Sequence, residues 1–295
     1  MHIHIGHSDN CLHSVDVNQL HKHKALPHIS KFVTDNKKRY TNKIKQVRIE
    51  NSKLNEHDYD ALQTLFHECA HLNEVNMNSN HIETSKCQEL LAALSGKQLK
   101  SLSFTDNWIG AKLPDNYFDI FNEQNEMNDI NFSLNWLGDK GISIFLNALG
   151  KNIRKLELSC NDFYLDGMIC IRDFILKCKQ LAELDISYNR ITAKSAEQIA
   201  HIIHESPSLA CLKINHNHIG DQGASFIAET FNRTNTLTTL DIADNELSNK
   251  GAKILIEQAG KNGGIKLLDL RHNSLNPGEI NQFAERWAGK LEVMV

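Results

Sequence analysis

The chain contains no Cys-x-x-Cys pair, no glycine-rich phosphate loop and no paired-carboxylate motif. The usual sequence signatures of a cysteine-rich zinc site and of nucleotide binding are therefore missing. No cofactor and no metal are expected. A basic excess is missing too. With 32 Lys and Arg against 36 Asp and Glu the formal net charge is -4, so no field exists that would gather nucleic acid or an anionic membrane surface. The opening residues, Met1-His-Ile-His-Ile-Gly-His7, lack a continuous apolar stretch, and neither a secretory signal nor a membrane span is predicted. A cytoplasmic protein is expected.

Cysteine is present in an odd number, seven, at positions 11, 69, 87, 160, 170, 178 and 211. Cys69 and Cys178 stand at the same point of the repeat described next, three residues before its first apolar position. That recurrence predicts small buried hydrophobes in a reducing compartment rather than a disulfide framework.

What the chain does have is a period. Leu181-Ala-Glu-Leu-Asp-Ile-Ser-Tyr-Asn189-Arg-Ile191 reads L-x-x-L-x-L-x-x-N-x-L, and copies of it begin at Ile44, Leu72, Leu99, Met127, Ile153, Leu181, Leu209, Leu237 and Ile265, with a partial strand at Leu291. The Asn position is filled by Asn80, Asn107, Asn135, Asn161, Asn189, Asn217, Asn245 and Asn273, and only the first repeat substitutes Ser52. Apolar residues three and then two apart describe a short strand between turns. A buried Asn at the following bend satisfies backbone groups of its own loop and of the next. After the Asn the pattern turns helical, through Gly141, Gly167, Gly223 or Gly251 and then apolar residues at helix spacing, as in Ile142, Phe145, Leu146 and Leu149. The third repeat departs from this, with Pro114 in Ala-Lys-Leu-Pro-Asp-Asn-Tyr-Phe where the glycine belongs, and an irregular segment is predicted there. Each unit has an apolar face on its strand and another on its helix, and it can bury both only by stacking.

The predicted architecture is an α/β leucine-rich-repeat horseshoe, or solenoid, with a parallel sheet on the concave side and helices on the convex side. Residues 44–290 form nine repeats of about 28 residues and residues 291–295 a terminal half-repeat strand. Residues 1–43 form an N-terminal cap containing a degenerate repeat, Leu12-x-x-Val-x-Val-x-x-Leu20, followed by a helix-like apolar pattern at Leu26, Ile29, Phe32 and Val33. Seven histidines (2, 4, 7, 13, 21, 23 and 28) fall in that cap. No Cys, Asp or Glu cluster accompanies them at ligand spacing, so a solvated polar cap is preferred to a metal site.

The period, the block around Asn189 and the helix openings Leu137-Gly-Asp-Lys-Gly141, Ile219-Gly-Asp-Gln-Gly223 and Leu247-Ser-Asn-Lys-Gly251 resemble the ribonuclease-inhibitor type of leucine-rich repeat, over about residues 44–295. The resemblance implies a non-catalytic protein binder, whose founding type wraps round an enzyme and blocks it. Single-domain bacterial versions are similar to effectors that intracellular pathogens deliver into host cells, and the Lys-, Asn- and Ile-rich usage here suits an AT-rich bacterial genome. On that resemblance the partner is a protein, either an enzyme of the host or a co-delivered bacterial protein. The alternative is an adaptor that bridges two proteins without inhibiting either. A monomer is expected.

Candidate binding residues are those between the apolar strand positions and on the rim loops. The central strand column runs Arg48, Asn76, Ser103, Asn131, Glu157, Asp185, Lys213, Asp241, Asp269. Its second half is acidic apart from Lys213, which suits a partner with a basic patch but equally a merely solvated face. One residue past the Asn come Trp108, Trp136, Asp162, Arg190 and His218; just before it come Leu134, Cys160, Tyr188, His216, Asp244 and His272, with Arg271 alongside. Trp, Tyr and Arg are the side chains most used as interface anchors. The two tryptophans either anchor a partner or pack on each other and under residues 107–125. Cys160, His216 and Asp244 share a column and would spell a nucleophilic set if they touched, but Cys160 and His216 are two repeats apart, roughly 10 Å across a sheet. No enzyme activity is expected.

Overall fold

A computed structural model describes residues 2–8, 11–18, 43–233 and 236–295. The predicted helical pattern from Leu26 to Val33, with His21, His23 and His28, lies outside the described residues, as do the side chains of His2, His4, His7 and His13. The chain forms two units, residues 1–136 with 148–150, and residues 137–147 with 151–295.

In the first unit the strands lie in chain order: β1 (His2–Ser8), β2 (Cys11–Asn18), β3 (Gln46–Glu50), β4 (Glu74–Asn76), β5 (Ser101–Ser103) and β6 (Asp129–Asn131). From β2 onward they are parallel, and Val15, Val47, Val75, Leu102 and Ile130 stand in register, each buried. The degenerate repeat around Val15 is therefore a strand of the sheet. β1 pairs antiparallel with β2 and covers that strand's outer edge. Helices α1 (Glu56–Glu68) and α2 (Thr84–Ala93) connect the first three repeats.

The third repeat has no α-helix among its described residues, only a 3-10 turn at Asp119–Glu123. In place of a helix it packs aromatic rings. Phe118 meets Phe132 edge-on at 5.5 Å, Phe104 stacks on Phe132 at 5.7 Å, and the Tyr117 hydroxyl donates 2.7 Å to the Thr84 carbonyl.

The second unit repeats the arrangement more regularly. Its strands are β7 (Lys155–Glu157), β8 (Glu183–Asp185), β9 (Cys211–Lys213), β10 (Thr239–Asp241), β11 (Leu267–Asp269) and β12 (Glu292–Met294), again parallel and in chain order. Its helices are α3 (Gly138–Ala148), α4 (Leu165–Lys177), α5 (Ala193–Glu205), α6 (Gly220–Thr230), α7 (Asn249–Asn262) and α8 (Pro277–Ala284). Every residue that opens a repeat, from Ile44 to Leu291, is buried, and Cys69 and Cys178 are fully so, each following the last residue of its helix.

The Asn column is the seam between repeats. Asn189 donates through Nδ2 to the carbonyls of Ser187 (2.9 Å), Ile186 (3.0 Å) and, in the preceding repeat, Leu158 (3.2 Å). Its Oδ1 accepts from the Asn161 amide at 2.9 Å. The same pattern joins Asn217 to Asn189 and Ile191, Asn273 to Asn245 and Leu247, and Asn107 to Asn80 and Ile82. One amide thus pairs backbone groups on both sides of a buried junction.

The Gly-Asp-x-Gly openings form a second seam, this one along the helices. The Asp221 carboxylate accepts from the Ser248 amide (2.8 Å), the Ser248 hydroxyl (2.5 Å) and the Gly251 amide (3.1 Å), so it caps the next helix rather than its own. Asp139 does the same for Tyr164 (2.7 Å) and Gly167 (2.8 Å), and the Asn249 side chain for Asn276 (2.8 Å). The second glycine of the motif is required by this contact, because a Cβ on Gly251 would collide with Asp221. Burial raises the affinity of Asp221 for a proton, but hydrogen bonds from Ser248 and Gly251 outweigh that and hold its carboxyl below the usual range.

Two measurements test these seams. Asn189→Ala strips partners from the carbonyls of Leu158, Ile186 and Ser187 and from the Asn161 amide, and should lower stability by at least about 2 kcal/mol in urea unfolding; a loss below about 0.5 kcal/mol would mean that the seam lies elsewhere. A depressed carboxylate contributes stability above its unfolded-state pKa, about 3.9, and loses it as pH falls through the folded value. The advantage of wild type over Asp221→Asn in thermal melts should therefore be present at neutral pH and shrink in acid.

Candidate partner-binding surface

The strand column lies as predicted: Arg48, Asn76, Ser103 and Asn131 are in register in the first unit, and Glu157, Asp185, Lys213, Asp241 and Asp269 in the second. The structure supplies a local reason for its Asp and Asn residues. Each closes a turn by accepting from the amide two residues on: Asn76 from Asn78 (3.1 Å), Asn131 from Ser133 (2.9 Å), Asp185 from Ser187 (3.0 Å), Asp241 from Ala243 (3.1 Å) and Asp269 from Arg271 (3.1 Å).

The acids also have partners within the chain. Arg271 grips both oxygens of Asp269, at 2.6 to 3.1 Å, which leaves Asp269 buried and Arg271 half-exposed. Burial raises the Asp269 pKa, yet the Arg271 bonds prevail and the carboxyl stays below its ordinary value. Of the three column aspartates it is the least available to a partner. Asp241 differs. It accepts from Asn215 at 2.5 Å, but burial, reinforced by Asp269 and Asp185, pushes its carboxyl above the ordinary range. Lys213 stands 3.9 Å from Asp185.

On the rim of the second unit, Arg190 pairs with Asp162 (2.8 Å), His218 with Glu246 (2.7 Å) and His216 with Asp244 (3.1 Å), while the Tyr188 ring stacks on His216 at 3.8 Å. Exposed pairs of this kind add little stability each. Their consequence is that the rim side chains are held in place before any partner arrives. The His216–Asp244 half of the supposed nucleophilic set does form, but the repeat carrying Tyr188 separates Cys160 from His216. Burial and Asp185 push the Cys160 thiol up, the opposite of what an activated nucleophile needs.

Large exposed side chains of apolar character are Tyr164 and Tyr188 in the second unit and Trp108, Leu134 and Trp136 in the first. Trp108 is 57% exposed, Leu134 41% and Trp136 64%, so the tryptophans are not packed beneath the following segment. Trp108 leans on the His81 ring at 4.7 Å, and its backbone is fixed by a bond from its amide to the Ile82 carbonyl (2.9 Å).

One feature of these loops has no signature in the residue types. The residue before each conserved Asn position adopts a left-handed backbone in every repeat: Asn51, Ser79, Asp106, Leu134, Cys160, Tyr188, His216, Asp244 and His272, with φ between 48 and 59°. Trp136 (φ 57°), Asp162 and Glu246 do so as well, one residue past the Asn. For Asn or Asp this is inexpensive; for Leu, Tyr and Trp it costs about 1–2 kcal/mol.

Three segments of the second unit, residues 177–200, 205–228 and 234–255, match the family model described as Leucine Rich repeat. None of the curated proteins matches the chain. Among solved structures, one described as Leiomodin-1 Actin-Binding Site 2 is similar with 12% identity and a TM-score of 0.45, over 51% of this chain and 87% of that one.

Leu134→Gly relieves the left-handed strain at the cost of unfolded-state freedom, a net gain of about 0.5–1 kcal/mol. Its melting temperature should rise; an unchanged or lower value would show that the Leu134 side chain makes contacts worth more than the strain. By its matched segments and its strand-and-helix repeat, the chain is an α/β leucine-rich-repeat solenoid.

Proposed function

We propose that the chain is a protein-binding module whose partner is anchored on Trp108, Leu134 and Trp136. The observation that carries this reading is the exposure of three large apolar side chains on consecutive rim loops, two of them at strained backbone positions. Scattered single hydrophobes need no explanation on a surface, whereas a cluster of them does. Their loops are fixed by main-chain bonds, so little order remains to be imposed on binding, and aromatic anchors of this kind dominate interface energies.

Within the same proposal the rim and sheet face of the second unit supply polar complementarity: Asp162, Asp185, Tyr188, Arg190, His216, His218, Asp241, Asp244, Arg271 and His272. Their internal pairing supports orientation and specificity over raw affinity. Asp241 is the acid that a basic patch on a partner would ease most, because its charge is the one disfavoured by burial and by neighbouring carboxylates.

The resemblance of the repeat to ribonuclease inhibitors extends the proposal to a stoichiometric inhibitor, one that covers the active site of a partner enzyme. Delivery by a bacterium into a host cytosol is the setting which the bacterial resemblance suggests. These two points rest on the repeat type and the codon-linked composition alone.

The experiment is affinity capture with the full chain, identification of the captured protein, and an activity assay on it. Trp108→Ala/Trp136→Ala should weaken capture by at least about 2 kcal/mol, roughly thirtyfold in Kd. Full affinity in the double variant would remove the anchor assignment, and an uninhibited partner enzyme would leave the adaptor reading in its place.

A further inference from the structure

The helix layer of the second unit holds a surface that the sheet-side reading leaves unused. The helices α5 and α6 approach closely near their N-terminal ends, where a Cβ on Gly223 would sit 3.0 Å from that of Ala196. Further along, between Glu197–Glu205 on one helix and Phe226–Thr230 on the other, they leave an open groove of about 410 Å³. The half-buried Phe226 lines it, together with the exposed Glu197, Glu205 and Glu229 and two exposed histidines, His201 and His204. No lysine or arginine lines it.

The charges set this groove apart from the rest of the helix layer. Elsewhere Glu257 is paired with Lys261, Glu279 with Lys253, and Asp173 with Arg172. Glu205 meets the neighbouring His204 at 3.0 Å, and among the described residues no side-chain hydrogen bond or ion pair engages Glu197 or Glu229. The three carboxylates line one groove between two adjacent helices, and a cation placed among them would be attracted to all three. An aromatic face within the same depression adds a favourable site for that cation or for an apolar neighbour.

We propose that the groove is a docking site for a segment of a protein partner that places an arginine or lysine among Glu197, Glu205 and Glu229 and lays an adjoining apolar side chain on Phe226. Charge complementarity selects the cation. The volume selects the scale, since it accepts a few side chains rather than the face of a globular domain. The site uses no residue of the surface proposed above, so either can fail without the other.

The test is selection of a random linear peptide library on the full chain, followed by anisotropy measurements with the recovered peptides. Recovered sequences should carry Arg or Lys beside Leu, Ile or Phe. Their affinity should fall at least about tenfold in Glu197→Lys/Glu229→Lys, fall also in Phe226→Ala, and weaken with added salt. The glutamates are exposed, and thermal melts of the variants confirm that the fold is kept. Peptides without basic residues, or unchanged affinity in the charge-reversed variant, would overturn the proposal. So would displacement by spermidine at concentrations comparable to the peptide, which would mark a small-amine site. Self-association of the wild-type chain that the charge reversal abolishes would also overturn it, by making a second copy the occupant.

Discussion

A loop that turns a strand into a helix once every repeat buries backbone amides and carbonyls that no regular ladder can reach. Unpaired, each would cost about 1–3 kcal/mol. One Asn side chain per repeat answers that requirement, because a primary amide offers two donors and an acceptor in a plane. Asn189 uses all of them, reaching carbonyls in its own turn and at Leu158 of the repeat before, and receiving the Asn161 amide. Since each Asn serves two repeats, stability here is a chain of nearest-neighbour terms. The first repeat, where Ser52 stands in the Asn column, still receives its half of the bond: the Ser52 amide donates 2.9 Å to Asn80.

That constraint is what made the fold legible. Strand pairing forces successive repeats to the same length, so the buried leucines and the Asn recur at one period and can be counted without a structure. The helix-opening Gly-Asp-x-Gly motif was also visible, but its meaning was not. Asp221 caps α7, the helix one repeat beyond its own, and Gly251 is small because Asp221 must reach past it. That relation exists only once the repeats are stacked. Several rim pairs were readable in principle: Arg190 and Asp162, His216 and Asp244, and His218 and Glu246 each stand one period apart, and any two side chains so spaced are neighbours. Reading the columns downward for charge alone missed them. The strand-end aspartates suit a basic partner and a solvated face equally by sequence; stacking adds that each closes a turn and has a side-chain neighbour within the chain.

The left-handed residue before the Asn could not be read at all. Backbone conformation there is imposed by the junction and not by residue preference, which is why Leu134, Tyr188 and Cys160 occupy a position better suited to Asn or Gly. A strained residue persists only where its surroundings over-determine it. Here the neighbouring Asn amide and the cross-repeat backbone bonds do so; the Tyr188 amide, for example, donates to the Asn215 carbonyl at 2.9 Å. The seam therefore frees the rim position from its own conformational preferences. Side chains as different as Ser79, Asp106, Leu134 and Tyr188 are presented there.

The third repeat shows the limit of that freedom. Its segment between β5 and β6 must span the same interval as its neighbours, yet Pro114 has no amide to offer a helix, and the segment crosses with a 3-10 turn instead. A turn of that kind presents no continuous apolar stripe, so the space an α-helix would fill is taken by Tyr117, Phe118 and Phe121 against Phe104 and Phe132. All five rings are buried to within about one percent. The aromatic content of this region is thus divided by geometry. Rings on the apolar strand positions and the crossing segment replace the missing helix, whereas Trp108 and Trp136, one residue past the Asn column, lie outside any core that the repeat can build. Packing accounts for the first set completely, whereas Trp108 only leans on the His81 ring and both tryptophans stay more than half exposed.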